Sequence, residues 1–195
     1  MTILFPFLKT LVALFIIVDV LGNLPFFIAL SEGLSTSEKR KIFLTAVIAG
    51  FFLLVFFLLL GTAILNLFNV TLNDFKVAGG ILLLLISVEI LLRGKVSIEH
   101  KEEIGIVPLA CPLLVGPGAI TTALTLVKLY GYGIVLSALL VCFFLVWFIL
   151  YFSEPIYNFL GKSGSLILTK IAAILIAAIA VQFIRQGITS FFFQH

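Results

Sequence analysis

The sequence predicts an all-α membrane protein of six transmembrane helices, built as two inverted three-helix repeats in which helices 1 and 4 are interrupted. Three observations predict it. Of the 195 residues, 63% are hydrophobic and 11% charged. The charges cluster and leave long apolar gaps, and two interruptions bearing Gly and Pro recur at matching places. Soluble domains carry about 45–50% apolar and about 25% charged residues. A chain of this length cannot hide so much apolar side chain from water in one core. That composition excludes a soluble enzyme, a disordered chain and a disulfide scaffold. Cys111 and Cys142 stand in apolar stretches without metal-ligand spacing and read as buried, inert thiols. The net charge of +3 implies no nucleic-acid partner, because in such a chain the placement of charges says more than their sum.

Residues 42–73, 104–127 and 129–153 contain no charge at all. With about 20 apolar residues per crossing, the spans fall at 3–30 (interrupted), 42–65, 75–92, 104–129 (interrupted), 133–152 and 166–184. The first run lacks a basic leader before Lys9 and a small-x-small cleavage site, so it reads as a retained helix rather than a signal peptide. Ser35 and Glu38 have capping-box spacing at the start of the second helix. Asn66, Asn69, Asn73 and Asp74 mark a turn at 66–74, and Gly131 marks another at 130–132. The stretches 31–41 and 93–103 read as solvated loops.

Orientation follows from the basic residues. Eight lie on the side of the loops joining spans 1–2, 3–4 and 5–6: Lys39, Arg40, Lys41, Arg93, Lys95, Lys101, Lys162 and Lys170. Four lie on the other side: Lys9, Lys76, Lys128 and Arg185. The positive-inside rule then places both termini outside the cytoplasm of a multi-pass protein of the cell (inner) membrane.

Gly22 and Gly116 are 94 residues apart, and so are Lys76 and Lys170. One offset for two landmarks suggests a duplicated unit, with 1–93 as the first three-helix repeat, 94–103 as a charged cytoplasmic linker and 104–195 as the second repeat. Three helices per copy is an odd number, so the copies enter the membrane in opposite senses. Transporters built this way place the substrate where two interrupted helices meet near the midplane.

The interruptions carry the chemistry. Gly and Pro together release backbone N–H and C=O groups from the helical ladder, and in hydrocarbon each unmet group costs several kcal/mol. Gly116-Pro117-Gly118 has the character of a helix restart, with Pro117 at the first helical position. The amides of Gly118, Ala119 and Ile120 would then face the break at a positive dipole end suited to an anion, with hydroxyls added by Thr121 and Thr122. Asp19, Gly22 and Asn23 fall on one helix face, and Asn23 reads as the N-cap of a half-helix beginning near Pro25. Asp19 is the acidic residue deepest within a span, so it should face a polar cavity, bind a cation or carry a proton. Gly79-Gly80 and Ala173, Ala177 and Ala180 read as helix contacts. Glu89 and Gln182 fall near span ends, where snorkelling or capping is expected, and Lys76 and Lys170 read as interface anchors.

These motifs give the sequence a resemblance to the MarC family of bacterial and archaeal integral membrane proteins. The resemblance is carried by Asp19-Val20-Leu21-Gly22-Asn23-Leu24-Pro25-Phe26-Phe27, by Pro112-Leu113-Leu114-Val115-Gly116-Pro117-Gly118-Ala119-Ile120-Thr121-Thr122 and by Ala178-Ile179-Ala180-Val181-Gln182-Phe183-Ile184. It covers essentially the whole chain. The first motif departs from the family form, in which a proline commonly follows the acidic or amide residue; here that position is Val20. The resemblance implies relatedness to transporters of small neutral amino acids. A zwitterion needs an anion site and a cation site a few ångströms apart. The amides at Gly118–Ile120 are expected to hold the carboxylate, and Asp19, Asn23 and carbonyls near Gly22 the ammonium.

The sequence-level expectation is thus a transporter of glycine, alanine or serine, working by alternating access with proton or sodium coupling, with no cofactor and with Na⁺ near Asp19 as one option. Its partners would be a small-molecule substrate and the lipid bilayer. An exporter of metabolites or drugs and a non-transport membrane protein are the alternatives. Catalysis is not expected, since His100 and His195 lie outside the spans and no His-Glu-x-x-His pattern occurs.

Overall fold

A computed structural model describes residues 3–31, 33–93 and 105–192. Helices account for the regular structure, with no strand among the described residues: α1 (Leu4–Val18), α2 (Val20–Leu30), α3 (Thr36–Leu67), α4 (Leu72–Arg93), a π-helical segment (Gly105–Leu114), α5 (Pro117–Tyr151) and α6 (Glu154–Phe192). The 94–103 linker, with Lys95, His100 and Lys101, lies outside the described residues, as does His195. Five stretches are long and apolar enough to cross a membrane: Leu4–Leu30, Thr36–Gly61, Leu72–Leu92, Pro117–Tyr151 and Thr169–Ser190. Ile16, Phe52, Leu85 and Phe144 each leave more than half of their surface exposed. In water such a surface would aggregate; in a bilayer it is the lipid contact.

The helix starts follow local chemistry. The amide of Ser35 donates to Glu38 Oε2 at 2.8 Å and the amide of Glu38 donates back to Ser35 Oγ at 3.4 Å, closing the expected capping box. Thr71 and Asp74 repeat the arrangement at α4: the Thr71 amide donates to Asp74 Oδ2 at 2.8 Å and the Asp74 amide to Thr71 Oγ1 at 3.2 Å. α3 starts at Thr36, six residues before the charge-free run, so Lys39, Arg40 and Lys41 ride on its first turns. α6 likewise starts at Glu154, ahead of the expected span.

α5 is the longest exception to the expected boundaries, since the fourth and fifth spans form one helical element divided at Gly131, whose φ of 81° and ψ of 163° are non-helical. The chain folds back there. A Cβ on Gly50 of α3 would lie 3.4 Å from Val115 and 3.0 Å from Phe143, whereas a straight helix between those two would separate them by about 40 Å. The returning half, 132–151, runs antiparallel to α3, as Phe51 meets Phe143 and the Arg40 guanidinium lies 4.6 Å from the Tyr151 ring centroid.

α4 and α6 form the most extensive helix pair. They too are antiparallel: Gly187 meets Asn73 and Val77, Gly80 meets Ala180 and Ile184, and Lys170 Nζ donates to the Leu91 carbonyl at 2.6 Å, at the C-terminal end of α4. Lipid gives no hydrophobic drive to this association, so close backbone approach at small residues has to supply it. A Cβ on Gly80 would stand 2.7 Å from the Ala180 carbonyl oxygen and 2.8 Å from Ile184 Cγ1. Gly80→Ala is therefore expected to destabilise the protein by about 1–3 kcal/mol, read as a lowered midpoint of thermal unfolding in detergent. Gly133→Ala, where a Cβ meets nothing within 4 Å, should leave that midpoint unchanged.

Candidate functional site

The first break falls at Asp19. Its backbone is left-handed (φ 45°, ψ 50°), a conformation that Asp tolerates better than most side chains. Its carboxylate accepts the Gly22 amide at 3.1 Å, capping α2. The half-helix thus starts at Val20, five residues before Pro25, and the expected cap at Asn23 is corrected to Asp19. Pro25 lies inside α2 and leaves the Leu21 carbonyl without its i+4 donor. Gly22 is required for space rather than for backbone freedom, because a Cβ there would collide with the Asp19 carboxylate. Val20 takes the first helical position, where the family's proline would fit; with Asp19 as cap, the break forms without it.

Asn23, freed from capping, performs a different task. Its Nδ2 donates to the Val18 carbonyl at 3.1 Å and to the Leu113 carbonyl at 3.4 Å. Val18 ends α1, and Leu113 lies in the last turn of the π-helical segment. One amide group therefore serves carbonyls at both breaks.

The second break is the passage from the π-helical segment to α5. The Val115 amide donates to Ala110 across the wide i→i−5 turn at 2.9 Å. Gly116 is then extended (φ −84°, ψ 173°) and Pro117 opens α5. The Ile120 amide donates to the Gly116 carbonyl at 3.2 Å. That corrects one of the three amides expected to face the break, leaving Gly118 and Ala119, whose N–H groups precede the first intrahelical donor. Thr121 Oγ1 donates to the Pro117 carbonyl at 2.7 Å, so its hydroxyl offers a lone pair rather than a proton. The two N-caps, Asp19 and Gly116, are 97 residues apart, about one helical turn off the 94-residue register of the sequence landmarks.

A cavity of about 450 Å³ opens at the second break, lined by Leu113, Gly116 and, from α5, Pro117, Gly118, Ala119, Thr121 and Thr122, with Ile17 beside the first break. Its remaining wall is Lys76 of α4 and Gln182, Phe183 and Gln186 of α6. The structure thus brings the α5 half of the expected site together around a cavity. Asp19, Gly22, Asn23 and Pro25, expected in the site, do not line that cavity: Asp19 caps its own helix, and Ile120 is fully buried. Lys76 and Gln182, read from the sequence as an anchor and a span-end residue, line the cavity, as does Gln186. Their helical spacing (Gln182 and Gln186 at i, i+4) was the available signal.

A helical bundle with an apolar surface, two broken helices and a cavity at their junction defines a multi-pass integral membrane protein. The chain belongs to the MarC family: the profile of the MarC family integral membrane proteins matches residues 4–192. A UPF0056 membrane protein of Archaeoglobus fulgidus is 41% identical over 93% of this chain and 92% of its own. One from Aquifex aeolicus is 36% identical over 93% and 92%, and YhcE of Escherichia coli is 29% identical over 96% and 94%. No solved structure matches the chain.

Asn23→Leu removes the donor and leaves the Val18 and Leu113 carbonyls unpaired. We expect a loss of about 1–3 kcal/mol per orphaned group, measured as reduced thermal stability in detergent. Asn23→Gln, which keeps an amide on a longer arm, should recover part of the loss.

Proposed function

We propose that this protein is a secondary transporter, and not an enzyme, that moves small neutral amino acids by alternating access. The observation that supports it best is the opening of the α5 half-helix, with the unbonded amides of Gly118 and Ala119, into a cavity whose far wall carries Lys76, Gln182 and Gln186, beside a second broken helix. A helix N-terminus favours a carboxylate, and apolar substrates would gain nothing from it. The ammonium end falls to the Asp19 side, where the carboxylate has acceptor capacity beyond its one bond to Gly22 and could equally hold a coupling proton or Na⁺. A cavity of about 450 Å³ has room for glycine, alanine and serine, and the choice of these small substrates comes from the family resemblance rather than from its walls.

The six-crossing inverted repeat belongs to the same reading. The antiparallel α4–α6 pair and the fold-back at Gly131 support two three-helix units of opposite sense. Gly187 packs on the N-terminal turn of α4, so Lys76 and Gln186 stand on the side of the 66–74 turn. By the distribution of Lys and Arg that side is non-cytoplasmic, as are both termini.

Counterflow of labelled glycine in proteoliposomes, with and without imposed proton and sodium gradients, tests the proposal. Flux that responds to one gradient is expected, and its absence for glycine, alanine and serine alike would refute the reading. Asp19→Asn keeps a capping side chain while removing the charge. It should leave the protein folded and lower flux at least about tenfold, the effect of about 1.4 kcal/mol. Unchanged flux would take Asp19 out of the site.

A further inference from the structure

We infer that Lys76 makes the cavity between the broken helices selective for solutes that carry a carboxylate. The inference takes its substrate class from the transport reading, but its physical content is separate. Lys76 and Lys170 begin equivalent spans 94 residues apart, yet their ammonium groups have different fates. Lys170 Nζ donates to the carbonyls of Leu91 and Ile90, at 2.6 and 3.5 Å, and so caps α4. Lys76 lines the cavity and has no protein hydrogen-bond partner among the described residues. Its place in the first turns of α4 is the wrong end of the helix dipole for a cation, so the helix it sits on does not explain it.

The same wall gathers further hydrogen-bonding capacity. The side chains of Thr122, Gln182 and Gln186 line the cavity and likewise have no protein partner among the described residues. None of the described residues lining the cavity is acidic. A wall holding one ammonium group, two carboxamides and a hydroxyl attracts an anionic group and repels a bare cation. A lysine at the end of a span carries only part of the about 2.5–3.5 kcal/mol insertion cost of the helix centre, and water or a counter-charge in the cavity removes it. A substrate carboxylate entering the cavity supplies that counter-charge; an amine without a carboxylate does not.

The test uses the full chain in detergent and reads thermal unfolding, with sodium acetate as the probe against sodium chloride at equal ionic strength. Acetate is expected to raise the midpoint of the wild type and of Lys76→Arg by about 2–4 °C. Lys76→Met and Lys76→Gln should show no rise, and methylammonium chloride should give none with any of the four proteins. An equal rise in the two charge-free variants, or none in the wild type, would overturn the inference. Glycine flux in liposomes reports the transport reading independently. A wild type that lacks flux but shows Lys76-dependent stabilisation by acetate would refute transport and uphold the cavity's selectivity.

Discussion

The side-chain amide of Asn23 is the constraint on which the site depends. Two spans are broken within the membrane, and each break frees backbone carbonyls that hydrocarbon cannot satisfy. Nδ2 of Asn23 meets one from each, Val18 at the end of α1 and Leu113 near the end of the π-helical segment. The two interruptions are thereby fastened to one another as well as capped. Because α2 and α5 both begin close to this junction, the positive ends of two half-helices lie near it, and the cavity opens at that of α5.

Around this junction the rest of the bundle is scaffold. α4 and α6 lock through Gly80, Ala180 and Gly187, where backbones approach closely, and α3 packs along the returning half of α5 through Phe51 and Phe143. These contacts are made by small and apolar side chains. Polar side chains without protein partners collect on the cavity wall instead, at Lys76, Thr122, Gln182 and Gln186. Lys170 is spent on the end of α4, whereas Lys76 lines the cavity.

Much of this was legible in the sequence because its causes are local. Helical class follows from hydropathy, the Ser35–Glu38 cap from spacing, the fold-back at Gly131 from a glycine between apolar runs, and the restart at Gly116-Pro117 from the preference of proline for the first helical position. What was not legible depends on distant partners. Both Asp19 and Asn23 are good caps by residue type. Choosing between them requires knowing that the Leu113 carbonyl lies within reach of Asn23. The cavity wall is drawn from α1, α4, α5 and α6. No window of sequence shows that Lys76 and Gln182 face the same space, and each alone resembles an interfacial anchor. The π-helical turn, which sets where the second break falls, has no residue signature comparable to Gly-Pro.

The central claim is that the two broken helices lie side by side at one junction. The most direct measurement is cross-linking in native membranes between Ile17→Cys and Gly118→Cys with a short bifunctional thiol reagent, in a background carrying Cys111→Ser and Cys142→Ala. A Cβ on Gly118 would lie 3.4 Å from Ile17, so a single bridged species is expected by intact mass. No bridge, or the same yield from a control pair of Ile17→Cys with Gly133→Cys, would contradict the account.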